Sequence, residues 1–288
     1  MRHSRCIFTA LLVCFLAACS SLMTRFGFYE PITAEVRRGN YIEAVRRIEQ
    51  ARENGRWGNK DRFLYFLDAG LAYHYADIYD TSNIKLHLAE QASDELFTKS
   101  ISRAAASLLL NDNVLAYAGE DYEVLYANLI KALNYLALDQ FDEAFVEIRR
   151  ADQRLELLEQ KYAEVADRWQ NAAQADSEQV EVTYTPKHVR FYNDAFARWL
   201  SMHMYATEGL YDDANLDFLR LHDAFEQQPF VYPFEEPAIP RLVRDEPTLS
   251  VVALVGAGPT KQAVTMRLRT DKDLHLVQIL MTDSKGHE

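Results

Sequence analysis

The sequence predicts a mostly α-helical chain built of helical hairpins and closed by a small C-terminal β segment, α+β overall. Three observations carry this. A short pattern of aromatic, small and aliphatic residues, led by glycine in the first and last instances, occurs four times between Gly39 and Leu221. Glycine and proline are scarce, 10 and 8 in 288 residues, which suits long helices. Five of the prolines (Pro229, Pro233, Pro237, Pro240 and Pro247) crowd into one stretch, after which the runs become β-branched and partly alternating.

The first element is not part of the fold. Arg2 and Arg5 precede an acid-free apolar run from Cys6 to Cys19, well short of the ~20 residues a membrane-spanning helix needs. A positive start, a short apolar run and small residues make a secretory signal. The segment Leu16-Ala17-Ala18-Cys19 also resembles the lipobox of bacterial lipoproteins. That resemblance implies cleavage before Cys19, acylation of its thiol and amine, and a lipid anchor at the membrane. An ordinary signal peptide or a buried N-terminal helix is the alternative. Ser20, rather than an aspartate, follows the cysteine, which in diderm bacteria favours the periplasmic face of the outer membrane. Residues 1–18 are then the signal peptide and 19–30 an anchored lead. The three cysteines are Cys6, Cys14 and Cys19, so the exported part keeps only the lipidated one, and disulfides and thiolate metal sites are excluded.

Processing removes Arg2 and Arg5 from 31 basic residues, so 29 face 43 acidic ones and the net charge moves from −12 to −14. Such a chain is a poor ligand for nucleic acid or anionic headgroups.

The helical domain is expected over 31–228. In its second helices an aromatic is followed by small and aliphatic residues at fixed offsets: Tyr41, Ala44, Ile48, Ala51; Tyr79, Ser82, Leu86, Ala89; Phe141, Ala144, Ile148, Ala151; Tyr211, Ala214, Phe218, Leu221. Upstream, Gly70 and Tyr73, Ala132 and Tyr135, and Met202 and Tyr205 match one another in three first helices. Glycine suits the tight turn, and small residues let two helices approach. The pattern resembles the tetratricopeptide repeat. Pro31 shortens the first unit, and inserts separate the units, so a bent array is expected; a generic helical bundle is the alternative.

Two inserts are readable. From Ile148 the apolar positions continue through Ala151, Leu155, Leu158, Tyr162, Val165, Trp169 and Ala172 in steps of three and four, so the third unit's second helix should run to about Gln174. Its expected partner is a helix opened by Thr185 and Pro186, carrying Phe191, Ala195, Trp199, Met202 and Ala206; a coiled-coil dimer is the alternative. Asn111 to Glu120 should be a loop, with Asp121 starting a helix. Residues 229–247 read as an extended connector. Within 248–288, "TLSVVALV", "AVTMRLR" and "LHLVQIL" read as strands.

The stretches "KDRFLYFLDAGLAYHYADIYDTSN" and "ISRAAASLLLNDNVLAYAGEDYEVLYANLIKALNYL" are similar to a family of bacterial envelope lipoproteins with tetratricopeptide-type repeats. The resemblance implies an envelope role, beside the regulators of peptidoglycan synthases, and a shortened C-terminal domain, but no reaction.

Chemistry-bearing motifs are few. The histidines after the signal are His74, His87, His188, His203, His222, His275 and His287, with no pair at the spacing of a helical zinc site. No G-x-S-x-G is present. "VVALVGAGPTK" carries Gly256 and Gly258 but Lys261 where a dinucleotide-binding turn needs a third glycine. "GEDYE" (Gly119 to Glu123) is the densest acidic spot, most simply a complement to a helix N-terminus. No cofactor, metal or catalytic residue is expected. A partner-binding role is, on the inner face near Leu71, His74, Tyr75, Leu129, Leu133, Trp199 and His203, for a segment of another envelope protein. The rival is a cell-wall glycan-cleaving hydrolase with carboxylates assembled by the fold; an accessory factor in outer-membrane assembly is a third reading.

Overall fold

The computed structural model describes residues 26–101, 116–175, 191–256, 265–271 and 276–282. The protein is mostly helical. Among the described residues eight α-helices form four hairpins: α1 (Tyr29–Arg37) with α2 (Tyr41–Glu53), α3 (Arg62–Tyr75) with α4 (Tyr79–Ile101), α5 (Asp121–Ala137) with α6 (Phe141–Ala175), and α7 (Ala195–Thr207) with α8 (Tyr211–Gln227). The signal peptide, Cys19 and the lead up to residue 25 lie outside the described residues, as do Thr185 and Pro186. Among the described residues no helix is long and apolar enough to cross a membrane.

One turn closes all four hairpins. Gly39, Asp77, Asp139 and Gly209 occupy the same place and share a left-handed φ of 75°, 59°, 58° and 75°. Each donates its N–H to the carbonyl three residues back (Val36, His74, Leu136, Ala206), and the next residue donates to the carbonyl five back (Glu35, Tyr73, Tyr135, Tyr205). These paired bonds satisfy the carbonyls that a helix end leaves open, and they demand a residue tolerant of left-handed backbone. Glycine accepts it without strain, and aspartate is among the few alternatives. Two residues later an aromatic opens each second helix (Tyr41, Tyr79, Phe141, Tyr211). Three further on, Ala44, Ser82, Ala144 and Ala214 are buried, because the two helices of a hairpin meet there. A Cβ on Gly70 would stand 2.6 Å from Leu86, so that first-helix position is small for the same reason.

The hairpins stack in chain order, with one apolar cluster at each junction. Ile32 and Ile48 of the first pack with Tyr65, Ala69 and Ala72 of α3. Leu86, Ala89 and Leu96 of the second pack with Val124, Ala127 and Ile130 of α5. Ile148, Leu155 and Leu158 of the third pack with Ala197, Leu200 and Met204 of α7. A fourth cluster joins Leu221 and Ala224 of α8 to Tyr232 and Ile239 of the proline-rich stretch.

Two expectations for the helical domain and its connector change. α6 does run 35 residues, to Ala175, but Phe191 to Asp194 are not helical. The fourth hairpin opens instead at Asp194, an extended N-cap whose Oδ1 accepts the Ala197 N–H at 2.7 Å. A carboxylate that caps a helix there outweighs the apolar spacing that placed Phe191 within one. The proline-rich stretch has no regular structure, with turns at Gln228–Tyr232 and Val243–Glu246, and it is packed rather than a free connector: the chain divides into two units between Glu246 and Pro247, so residues 229–246 belong with the helices.

In the second unit, Thr265–Asp271 (β1) and Leu276–Thr282 (β2) pair antiparallel, Thr265 opposite Thr282 and Leu268 opposite Ile279. The run "TLSVVALV", expected as a strand, has no regular structure, and Leu249 and Val255 are about nine-tenths exposed. No strand forms there among the described residues, so its β-branched pattern has no pairing edge to act on.

The segment before α5 shows why its glycine is needed. Tyr117 N–H donates to the Lys60 carbonyl at 3.0 Å, folding the chain against α3. Gly119 then has φ +90°, and a Cβ there would lie 2.4 Å from Cζ of the fully buried Phe63. Gly119→Ala is expected to cost about 2–4 kcal/mol, from backbone strain plus overpacking. Thermal unfolding checks this, and a loss within about 0.5 kcal/mol, the range of an unremarkable surface change, would mean that the segment is not docked on Phe63.

Candidate partner-binding face

The seven residues expected on the inner face all fall on the first helices α3, α5 and α7, with different fates. Leu129 is fully buried in the third junction's core and cannot touch a partner. Its spacing fits either side of α5, and packing against α6 and α7 decides which. Leu71, Leu133 and Trp199 are half-buried; Leu133 packs on both the second and third clusters and so links α3's side of the array to α7's.

On α3, Tyr75 is 37% exposed and its ring stacks on Tyr41 at 5.2 Å. His74 sits edge-on to Tyr75, and its Nδ1 lies 2.6 Å from Asn134 Oδ1 on α5. The Asn134 amide nitrogen donates to Ser82 Oγ (2.9 Å) and Asn83 Oδ1 (2.8 Å), so its oxygen must be the acceptor. His74 therefore donates from Nδ1, which fixes its ring and turns Nε2 into an acceptor when neutral. On α7, His203 stands edge-on to Trp199 at 4.5 Å, and burial lowers its pKa from the usual histidine value. Trp199 stacks on Phe196, and Phe196 on Tyr126 of α5. Two aromatic ladders thus line the face, one around His74 and Tyr75 and the other around Trp199 and His203. They offer flat, amphipathic rings of the kind that anchor protein contacts.

Between the hairpins lie buried charges that apolar spacing did not reveal. At the second junction Lys131 of α5, 2% exposed, is held by Glu90 of α4 and by Glu147 of α6 at 2.8 Å. Asn128 Nδ2 donates to the same two carboxylates at 2.7 and 2.9 Å. At the third junction Arg198 of α7, 3% exposed, donates to Asp152 of α6 (3.1 Å) and Asp217 of α8 (3.0 Å), and the single Ser201 hydroxyl, 2.6 Å from Asp217 and 3.1 Å from Asp152, has both acids within donating reach. The layers are equivalent. Glu90 and Asp152 stand eleven residues after the opening aromatic of α4 and α6, and Glu147 and Asp217 six after that of α6 and α8. Asn128 and Lys131 occupy the positions of Arg198 and Ser201, with cation and neutral donor exchanged.

At the first junction the same two second-helix positions are basic, Arg52 and Lys85, and the acids are replaced by a ring. Arg52 and Lys85 lie 4.8 and 4.7 Å from the Tyr65 ring centroid, and Glu49 pairs with Lys85 at 2.8 Å. Each junction therefore has its own charge code.

Two acids test the catalytic reading. Glu123, in "GEDYE", accepts the Glu120 N–H at 2.8 Å and the Tyr117 hydroxyl at 2.6 Å, as an acid closing a helix N-terminus does. On α3, burial pushes the Asp68 carboxyl up to about 7; the Tyr29 hydroxyl, donating at 2.5 Å, opposes that, and the charge of Glu123 adds to it. Trp57 Nε1 donates in turn to Tyr29 Oη at 2.9 Å. Among the described residues no cluster of three or more His, Cys, Asp or Glu could hold a metal ion.

No protein-family model and no curated protein sequence matches the chain.

Proposed function

We propose that this is a tetratricopeptide-type repeat lipoprotein, anchored through acylated Cys19 at the periplasmic face of the outer membrane, that works as a protein-binding scaffold or accessory factor in the bacterial envelope. The observation that carries the binding role is the pair of half-exposed aromatic ladders, Tyr75 with His74 and Trp199 with His203, on the first helices of stacked hairpins. Stacked helix pairs present extended surfaces for peptides or partner helices. The similarity of two stretches to envelope lipoproteins supports the compartment, and the lipobox at Leu16 to Cys19 supports the anchor. The C-terminal strands are read as a small β segment of their own.

The test combines membrane pull-down with site-directed crosslinking. Tyr75→Ala and Trp199→Ala should each weaken capture of the crosslinked partner about tenfold. Ile84→Ser and Leu216→Ser, exposed aliphatics on second helices, should leave it unchanged. The opposite pattern would place the binding surface elsewhere. Labelled palmitate should enter the parent chain and not Cys19→Ala.

The raised Asp68 beside the charge of Glu123 favours a second reading, a cell-wall glycan hydrolase with these two as acid and base. If purified protein digests peptidoglycan and Asp68→Asn abolishes it, the scaffold reading gives way.

A further inference from the structure

The proline-rich strap, residues 229–246, does more than connect. It runs back along α8: Tyr232 packs on Phe225 with ring centroids 4.6 Å apart, Glu236 meets His222, and Arg241 meets Asn215. At the far end the Arg244 guanidinium lies 5.0 Å over the ring of Tyr211. Its contacts thus descend α8 from its last turn to its first.

The positions it touches on α8 are those that the earlier second helices use to receive the next hairpin. Eleven residues after the opening aromatic stand Arg52, Glu90, Asp152 and His222. Arg52 meets Tyr65 of α3, Glu90 meets Lys131 of α5, and Asp152 meets Arg198 of α7. His222 meets Glu236 of the strap. Four residues after the aromatic, Asn83 of α4 receives Asn134 of α5, and Asn215 of α8 receives Arg241. The apolar layer agrees: each of the first three clusters is completed by the following first helix, and the fourth by Tyr232 and Ile239. The strap is also tied to the start of the fourth hairpin, where Tyr232 Oη accepts the Ala195 N–H at 2.8 Å and donates to Asp194 Oδ2 at 3.3 Å.

We infer that the strap stands in for a fifth first-helix and is the end cap of the array, and that the α8 face beneath it is a hairpin-docking surface occupied by this chain's own residues 229–246. Open stacks leave an apolar, hydrogen-bonding face at each end that must be sealed if copies are not to stack end to end. A proline-rich segment suits sealing: its prolines fix φ in advance, so less conformational freedom is lost on docking, and their missing N–H groups offer little for a further element to pair with.

Hydrogen exchange on the full chain tests the cap. Tyr232→Ala and Ile239→Asp should speed exchange in α7 and α8 by about tenfold or more while α3 and α4 stay within about twofold, because opening is local to the last junction. His222→Glu, which sets two acids together, should speed α8 exchange about threefold. Adding Glu236→Lys should restore it, since that pair reproduces the polarity of Glu90 and Lys131. Unchanged α8 exchange in all strap variants, acceleration spread evenly over four hairpins, or no rescue by the double charge exchange would each overturn the cap. So would a parent chain that is a dimer by light scattering and loses α8 protection on dilution, because the face would then belong to a second copy.

Discussion

Lys131→Met is expected to destabilise the second junction by about 3–5 kcal/mol, among the largest effects of any single change in the array. The methionine fills the volume of the lysine stem, so the loss is electrostatic: Glu90 and Glu147, both at most about one-tenth exposed at the side chain, would face each other across α5 with only the Asn128 amide between them. Arg150 and Arg154 approach these acids from the rim at 3.3 and 3.6 Å, which softens the effect without replacing a cation at its centre. Breaking a buried pair costs more than the intact pair contributes, because the remaining charge has lost both its partner and its water. Replacing the whole layer should therefore recover what the single change loses. A chain with Glu90→Leu, Asn128→Leu, Lys131→Met and Glu147→Leu together is expected within about 2 kcal/mol of the parent. Urea unfolding, followed with hydrogen exchange to locate the loss between α4, α5 and α6, decides the matter. A single change costing under about 1 kcal/mol would show that water already reaches the layer.

What the sequence made legible follows from which interactions are local. The hairpin turns are set within six residues, so Gly39 and Gly209 and the aromatics after them marked the turns directly. Asp77 and Asp139 were harder to read because aspartate has many roles besides left-handed backbone. The long α6 was legible because Ile148, Ala151, Leu155 and Leu158 keep one seam, and all four are buried. The rotation of α5 was not: Leu129 and Leu133 are four apart and both apolar, and only packing sends the first into the core and leaves the second half-exposed. The polar layers were open to notice but not to pairing. Lys131, Asn128 and Asn134 stand among the apolar residues of α5, yet their partners lie on other helices, Glu90 more than forty residues from Lys131 and Ser82 more than fifty from Asn134. The strap was hidden for the same reason: its prolines announce extended backbone, and nothing in them says that Glu236 will find His222.

The junctions bear on the proposed scaffold role through rigidity. A partner spanning both aromatic ladders needs the second to fourth hairpins held in one arrangement, since Tyr75 and Trp199 are on different hairpins. Each charge code disfavours stacking in the wrong order: Arg198 offered to the basic first junction, with Arg52 and Lys85, would meet like charge. This is selection by repulsion as well as attraction.

Arg198→Met is the second large expectation, and its size should depend on pH. The third junction, like the second, has one buried cation for two acids. Burial raises the Asp152 carboxyl to about 6, the neighbouring Asp217 adds to this, and Arg198 opposes it; burial likewise raises Asp217. A carboxyl whose folded pKa lies above its unfolded value near 3.8 gives stability that is fully present below 3.8 and lost as pH rises through about 6. The fourth hairpin should therefore grip the third more firmly at pH 5 than at pH 7.5, by about 1–2 kcal/mol for a shift of this size. Asp152→Asn, neutral at every pH, should flatten that dependence. Removing Arg198 leaves two acids with only the charge of Arg220, which acts on Asp217, to oppose them, costing about 3–5 kcal/mol at pH 8. Both acids can then take up protons on folding, so the variant gains more from acid than the parent does, and the deficit should shrink to about half by pH 4.5. Urea titrations of parent, Arg198→Met and Asp152→Asn from pH 4.5 to 8 measure all three. A deficit for Arg198→Met that stays constant across this range, or a parent whose third junction weakens between pH 7.5 and 5, would show that Asp152 and Asp217 are not sharing one cation.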